Sequence, residues 1–307
     1  MTSRFKSYSN ILAVNGDPML KFAANITWLY REWPFLERPI KAAEDGFDGI
    51  ECLFPYHFPV EELAESVRQS QMPVALINAP AGNWEQGERG LASLPGREVD
   101  FTQSLEQAWH YASALGCTKV HVMAGLQQPS LARESQLECL IERLKRACKD
   151  ANKHGIAVMI EALNAQDVPG YLVPDLTTAL YIHEQVNRSN LKIQFDLYHQ
   201  QRTDGDLSQN LVRLGDTLGH IQCAGVPGRH EPDYGEVDFG FIFQQLTRLN
   251  YSGWIGAEYS PRQHTRDGLG WLSSAKALRP ALYSRLRGIY SQGSLNQDYL
   301  STENNNE

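Results

Sequence analysis

The chain lacks the features that define several common classes of protein. Nowhere do its 307 residues hold the roughly 18 consecutive apolar residues that a transmembrane helix needs. The apolar run at residues 11–14 is too short for the core of a signal peptide. The five cysteines form neither a CxxC pair nor a zinc-finger spacing, so we expect reduced, packed thiols rather than a disulfide framework. These absences predict a soluble, cytoplasmic protein with no membrane partner.

An excess of positive charge is missing as well. The sequence has 28 basic and 36 acidic residues, which gives a formal net charge of −8. A nucleic-acid-binding domain usually presents a basic face to the phosphates, so we do not expect nucleic acid as a partner. No HExxH motif or other zinc-type motif is present.

The sequence does contain a regular alternation of short apolar runs and longer amphipathic segments. The apolar, strand-like runs are residues 21–26, 49–54, 74–78, 119–123, 157–162, 192–196, 220–223 and 254–258. The helix-like segments between and after them are residues 34–45, 60–69, 97–115, 131–154, 175–185, 207–214, 239–249 and 272–290. Such alternation is typical of a parallel sheet with helical crossovers. An open sheet of this kind has about six strands, so eight favour closure into a single (β/α)8 TIM barrel.

This pattern also predicts the domain organisation. The barrel is expected to span residues 21–290 as one catalytic domain. Residues 1–20 are interpreted as an N-terminal extension and residues 291–307, which are polar, as a flexible C-terminal tail. Residues 79–95 form a long Gly-, Asn- and Pro-rich connection after the third strand, a length typical of a functional loop or lid.

One polar residue stands at the end of each of the last four predicted strands: Glu161, Asp196, Gln222 and Glu258. In an α/β barrel, catalytic groups lie at these carboxyl ends. Any one of these residues alone could equally be a strand-end cap or an ion-pair partner. Three carboxylates at one barrel mouth repel each other unless a cation is present, and oxygen ligands suit Mg²⁺ or Mn²⁺. The four together therefore predict a divalent metal site.

Two of the four are glutamates, which suggests proton transfer. A metal chelated by adjacent carbonyl and hydroxyl oxygens acidifies the intervening C–H bond by stabilising an enediolate. Glu161 and Glu258 are predicted to take a proton from one carbon and return it to the next. A hydride-shift isomerase would need a second metal site, and the sequence shows no second ligand set.

Longer stretches make the chain resemble the hydroxypyruvate isomerase family, within the xylose isomerase-like barrels. The similarity extends over about residues 21–272. The stretches that carry it are FAAN at 22–25, GIECLFPY at 49–56, NWEQGERG at 83–90, LPGR at 94–97, IQFDLYH at 193–199, GVPGRHEP at 225–232 and GLGW at 268–271.

The resemblance implies roles for individual residues. It implies that Glu161 and Glu258 are the proton-transfer pair and that Glu161, Asp196, Gln222 and Glu258 bind the metal. Related ketose epimerases usually have a histidine where this chain has Gln222, which favours an isomerase over a sugar epimerase. His199 matches a histidine that contacts substrate oxygens in those epimerases, although it could also be a helix-start residue.

Further substrate contacts are predicted in two loops. Arg229 is the first choice for a substrate carboxylate, with an ordinary loop salt bridge as the alternative. Trp84, Glu88 and Arg89 belong to the long loop after the third strand and are predicted to cover the mouth and exclude water. Trp84 would also pack this loop against the barrel rim.

The resemblance implies isomerisation of hydroxypyruvate to tartronate semialdehyde through a cis-enediol, with a small hydroxy-oxo acid as the partner. A 2-oxo-tetronate isomerase with the same mechanism is a close alternative, because the loop at residues 225–232 resembles both groups. A sugar epimerase, a repair enzyme of the AP endonuclease type and a non-catalytic sugar-acid binding protein remain further alternatives. Assembly into a homo-oligomer is left open.

Overall fold

A computed structural model describes residues 19–277, in which eight parallel strands form one closed barrel. The strands are β1 (Lys21–Asn25), β2 (Gly49–Cys52), β3 (Val74–Asn78), β4 (Lys119–His121), β5 (Ala157–Glu161), β6 (Leu191–Asp196), β7 (Leu218–Cys223) and β8 (Trp254–Ala257). They pair in chain order, and β1 closes the barrel by pairing with β8. The predicted single (β/α)8 barrel is confirmed.

The helices follow the strands as the amphipathic segments predicted. They are α1 (Arg38–Glu44), α2 (Val60–Ser70), α3 (Glu98–Ala114), α4 (Arg133–Asn152), α5 (Leu176–Val186), α6 (Leu197–Thr203), α7 (Leu207–Leu214) and α8 (Phe239–Arg248). Local signals set several ends: Asp175 caps α5 by accepting a hydrogen bond from the Thr178 backbone N–H at 2.7 Å. Helix α6 was not predicted, because its first residue directly follows the last residue of β6 and no loop separates the two elements.

The barrel core lies between the strands and the helices. Side chains that face outward from the strands, such as Ile50, Val120 and Ile221, are almost fully buried beneath the helical layer. Since side chains alternate along a strand, their neighbours in the sequence point into the barrel. At the carboxyl ends of the strands these inward residues are mostly polar, so polar and charged side chains are buried in the barrel interior.

Some predicted segments fall at the ends of the chain. Most of the extension at residues 1–20, the tail at residues 291–307 and most of the helix at residues 272–290 lie outside the described residues. Within residues 19–277, the helices are too short or too polar to cross a lipid bilayer. The five cysteines are free thiols, as expected.

The loop after β3 is held against the barrel by a buried arginine of α4. The Arg143 guanidinium donates to the backbone oxygens of Leu91 and Leu94 at 2.6 and 2.7 Å and to Glu98 at 2.6 Å. Only 5% of the Arg143 side chain is exposed. The long loop therefore depends on one residue from a neighbouring helix for several of its hydrogen bonds.

We expect Arg143→Met to lower the free energy of unfolding by about 2–4 kcal/mol, because three charge-assisted hydrogen bonds of a buried guanidinium are lost. The exposed Arg146 of the same helix provides a matched control, and Arg146→Met should change stability by less than about 0.5 kcal/mol. Urea denaturation followed by circular dichroism measures both. Equal midpoints for the two variants would show that other contacts hold the loop.

Candidate active site

The four residues predicted at the strand ends lie together at the carboxyl end of the barrel. Glu161 and Asp196 are the last residues of β5 and β6, Gln222 is in β7, and Glu258 directly follows β8. Their exposed fractions are 5%, 3%, 0% and 6%. Three acids and one amide are thus withdrawn from water on four consecutive strands.

Glu161 has one paired and one unpaired carboxylate oxygen. Its Oε2 accepts a hydrogen bond from Gln194 Nε2 at 2.9 Å, whereas Oε1 is buried and has no hydrogen-bond partner among residues 19–277. Ligand atoms of Glu161, Asp196 and His199 lie within 4.8 Å of one another. A buried carboxylate oxygen without a partner is costly unless a proton or a cation neutralises it. The carboxylate oxygens of Glu161 and Asp196 in this group suit a hard divalent cation.

Arg229 supplies positive charge to the same cluster. Its Nη2 lies 3.3 Å from Asp196 Oδ2 and 3.6 Å from Glu258 Oε1. The guanidinium carbon is 4.9 Å from the ring centres of both Trp28 and Tyr198, so two aromatic faces hold it. The residue has a left-handed backbone, with φ at 54°. The predicted carboxylate-binding arginine thus lies at the acid cluster itself.

Burial and mutual repulsion make these acids hold protons strongly. Burial is the main cause that raises the pKa of Glu258 from its ordinary 4.5 to about 8, while Arg229 opposes the shift. Burial likewise raises the pKa of Asp196 to about 6. The pKa of Glu161 lies well above its ordinary value because of burial and the nearby charges of Asp196 and Glu258.

The hydrogen bonds of His199 identify its neutral tautomer. Its Nδ1 lies 3.2 Å from the backbone N–H of Asn164, which can only donate, so Nδ1 must accept. Burial and the charge of Arg229 lower the pKa of His199 well below its usual value, so the ring is neutral. The proton is then on Nε2, which lies 3.7 Å from Asp196 Oδ2. His199 thus offers a hydrogen-bond donor rather than a lone pair for a metal, and its contact with substrate oxygens stays a prediction.

The side-chain amide of Gln222 is hydrogen-bonded at both its nitrogen and its oxygen. Nε2 donates to Glu51 Oε1 at 2.8 Å, and Oε1 accepts from Gln194 Nε2 at 2.7 Å. A carbonyl oxygen has two lone pairs, so one remains for a further partner. Gln222 can therefore serve as a neutral ligand beside the three acids.

The three residues predicted in the loop after β3 contact one another, Arg97 and Phe54. Arg89 stacks on the Trp84 ring at 3.9 Å and donates to the Trp84 backbone oxygen at 3.1 Å. Glu88 pairs with Arg97 at 2.6 Å. Trp84 is 45% exposed and packs against Phe54, whose ring centre is 5.2 Å away. The contact of Trp84 with the rim follows the prediction, whereas contact of these residues with a substrate stays a prediction.

Two residues that contact the acids, Trp28 and Gln194, were not predicted from the sequence to belong to the site. Trp28 Nε1 donates to Glu258 Oε1 at 3.1 Å, and Gln194 contacts both Glu161 and Gln222. Gln194 was detectable in principle, because it stands two residues before Asp196 and shares its inward face. Trp28 lies beyond the end of β1, where strand periodicity gives no information.

Comparisons with known proteins agree with this architecture. The family model described as a xylose isomerase-like TIM barrel matches residues 40–275. The chain is 45% identical over 253 residues to the 2-oxo-tetronate isomerase of Pectobacterium atrosepticum, covering 82% of this chain and 97% of that protein. It is 39% identical over 254 residues to the hydroxypyruvate isomerase of Escherichia coli, with coverages of 83% and 98%.

A solved structure, that of an AP endonuclease, family 2, from Brucella melitensis, is also similar. It has 41% sequence identity and a TM-score of 0.81, and the match covers 83% of this chain and 99% of that chain.

The raised pKa values predict how the metal-free protein responds to pH. The folded site keeps its protons to higher pH than the unfolded chain does, so stability is lost as pH rises from about 4.5 towards 8. We expect the melting temperature of EDTA-treated protein to fall less steeply over this range in Glu258→Gln, because position 258 then no longer titrates and one of the raised pKa values is removed. Exposed Glu62→Gln should follow the unsubstituted protein. Parallel profiles for the original chain and Glu258→Gln would contradict the shift. Differential scanning calorimetry measures these profiles.

Proposed function

From the premise that this chain is an isomerase and belongs to the xylose isomerase-like TIM barrel family, we propose that it interconverts a small 3-hydroxy-2-oxo acid and its 2-hydroxy-3-oxo isomer by proton transfer. The observation that carries this proposal is the buried, unpaired Oε1 of Glu161 among three acids at the carboxyl end of the barrel. Such a group is available to bind a cation or to exchange a proton.

A divalent ion, Mg²⁺ or Mn²⁺, fits the oxygen atoms of Glu161, Asp196, Gln222 and Glu258. When bound, it would supply positive charge beside the substrate oxygens, on which negative charge develops as the C–H bond breaks. The unpaired oxygen of Glu161 and the free lone pair of Gln222 support this assignment.

Glu161 and Glu258 are the proton-transfer residues in this proposal. They belong to β5 and to the end of β8, which are separated in the barrel by β6 and β7. One carboxylate accepts a proton from C3, the electron pair moves to form the enediol between C2 and C3, and the other carboxyl group donates a proton to C2. The proton of the C3 hydroxyl passes to the C2 oxygen in the same interconversion. The C2 carbonyl becomes a hydroxyl and the C3 hydroxyl becomes a carbonyl, so no external oxidant or reductant is needed.

Two further side chains orient the substrate. In this proposal His199 Nε2–H donates a hydrogen bond to a substrate oxygen, which is supported by the engagement of its Nδ1 with Asn164. Arg229 has the charge and planar donors that a carboxylate requires. The loop with Trp84, Glu88 and Arg89 would limit the access of water to the enediol.

Substrate length separates two candidates. The higher identity, 45%, is to a 2-oxo-tetronate isomerase, against 39% to a hydroxypyruvate isomerase. This difference makes the four-carbon acid a specific candidate beside the three-carbon hydroxypyruvate. Both have the same reacting carbons, so the proposed residue roles are the same for either.

DNA repair, which the name of the Brucella protein suggests, is not proposed for this chain. The formal net charge of −8 opposes binding to a phosphate backbone. The exchange of small-molecule C–H hydrogens is the chemistry that the acids support.

We expect Glu161→Gln and Glu258→Gln each to lower turnover by about 10²- to 10⁴-fold, because an amide cannot accept the proton. Proton NMR in D₂O with Mg²⁺, hydroxypyruvate and 2-oxo-tetronate measures both product and deuterium uptake at C2 or C3. Glu62→Gln, on the exposed face of α2, is the matched control and should retain full activity. Near-normal turnover in either variant would remove that glutamate from the mechanism.

We expect Arg229→Met to reduce the preference for a carboxylate substrate by about 10- to 100-fold, since a charge-assisted pair is lost. The preference is measured as the ratio of kcat/KM for hydroxypyruvate to that for dihydroxyacetone, which lacks the carboxylate. Arg262→Met, in the loop after β8, removes a comparable charge outside the acid cluster and should leave the ratio unchanged. An unchanged ratio in Arg229→Met would assign the carboxylate to another partner.

A further inference from the structure

Glu51 is a buried carboxylate that the proposed mechanism does not use. It belongs to β2, and its exposed fraction is 0%. Its Oε1 accepts hydrogen bonds from Asn25 Nδ2 at 3.0 Å and Gln222 Nε2 at 2.8 Å, and Oε2 lies 2.7 Å from His220 Nε2. A carboxylate buried this deeply needs such partners, so the interior is built to hold it.

The hydrogen bonds continue from Glu51 to Glu161 through two amides. Gln222 Oε1 accepts from Gln194 Nε2 at 2.7 Å, and the same Nε2 donates to Glu161 Oε2 at 2.9 Å. Two carboxylates thus end a chain in which Gln222 and Gln194 are the middle members.

The direction of this chain is determined at its ends. With the proposed cation bound, Glu161 is ionised as a metal-bound carboxylate is, so both ends of the chain only accept hydrogen bonds and each must face an amide nitrogen. If Gln222 were rotated, its oxygen would face the Glu51 carboxylate and its nitrogen would face that of Gln194. Rotating Gln194 as well would only move the conflict to Glu161. One amide orientation therefore satisfies every contact in the chain.

We propose that Glu51 is a positioning residue that orients the Gln222 amide, so that its oxygen rather than its nitrogen faces the metal. This inference rests on the metal site of the proposed function. Without the acceptor at Glu51, Gln222 could rotate and present N–H groups, which cannot bind a cation. Glu51 thus acts on the metal only through Gln222 and takes no part in proton transfer.

A glycine provides independent evidence that space is reserved for Glu51. A Cβ atom on Gly256 of β8 would overlap the Glu51 carboxylate. Gly256→Ala should therefore displace this carboxylate while leaving every charge in the barrel unchanged. That property separates an effect of orientation from an effect of charge.

The test compares Mn²⁺ affinity in three variants of the full chain by isothermal titration calorimetry. Glu51→Gln replaces a carboxylate that can only accept with an amide that can present either its oxygen or its nitrogen to Gln222, and Gly256→Ala moves the carboxylate. Gly219→Ala is the control, because its Cβ would crowd Lys192 and Met159 rather than the Glu51 carboxylate. Circular dichroism establishes that each variant is folded at the temperature of the titration.

We expect Glu51→Gln and Gly256→Ala to weaken Mn²⁺ binding by about 10- to 100-fold, as loss of a group that orients a ligand does, and Gly219→Ala to bind like the unsubstituted chain. Unchanged affinity in Gly256→Ala would overturn the orienting role, since charge alone would then explain any loss in Glu51→Gln. If the unsubstituted chain itself fails to bind Mn²⁺, the metal site of the proposed function fails, and this inference fails with it.

A measurement without substitution covers the case in which the variants do not fold. Neutron diffraction from deuterated crystals with Mn²⁺ should place the Gln222 amide deuterons towards Glu51. Deuterons on the side of the metal would overturn the proposal.

Discussion

The desolvation of carboxylates inside a closed barrel is the constraint around which this interior is organised. Glu51, Asp196 and Glu258 are each compensated by specific donors: amides and an imidazole, the Tyr198 backbone N–H, and the Trp28 indole respectively. Glu161 is compensated on one oxygen only. Among the carboxylate oxygens of the described residues, Glu161 Oε1 is the buried one without a hydrogen-bond partner, so the cost of a buried negative charge is concentrated there. That atom is where a cation or a proton stabilises the site most.

Arg229 explains how the acids can be close together in the absence of another cation. Its guanidinium lies between Asp196 and Glu258, and the rings of Trp28 and Tyr198 hold it there. A divalent ion at the proposed site would take over part of this neutralisation. The arginine would then have donors available for an anionic substrate, so the same residue can serve the acids first and the substrate carboxylate afterwards.

The sequence predicted the strands and the four strand-end residues because both follow from local pattern. Runs of apolar residues mark buried parallel strands, and a polar residue at the end of such a run is conspicuous. Helix α6 was missed, since β6 passes into it at Asp196 with no turn between them. The position of Arg229 could not be predicted either, because it depends on a left-handed loop residue and on rings that follow β1 and belong to α6. Whether the loop residues Trp84, Glu88 and Arg89 contact the substrate stays a prediction.

The glutamine at position 222 has a physical explanation in its two neighbours. Its side chain donates to Glu51 and accepts from Gln194, and in the proposed site it would also offer a lone pair to a cation. A neutral imidazole has one donor and a single lone pair, so a histidine could satisfy Glu51 and the cation but would leave the Gln194 N–H without an acceptor. A carbonyl oxygen has two lone pairs and meets both demands. Gln222, near the end of β7, is therefore matched to Glu51 on β2 and Gln194 on β6. The choice of glutamine over histidine at this position depends on all the side chains hydrogen-bonded in this row and not on position 222 alone.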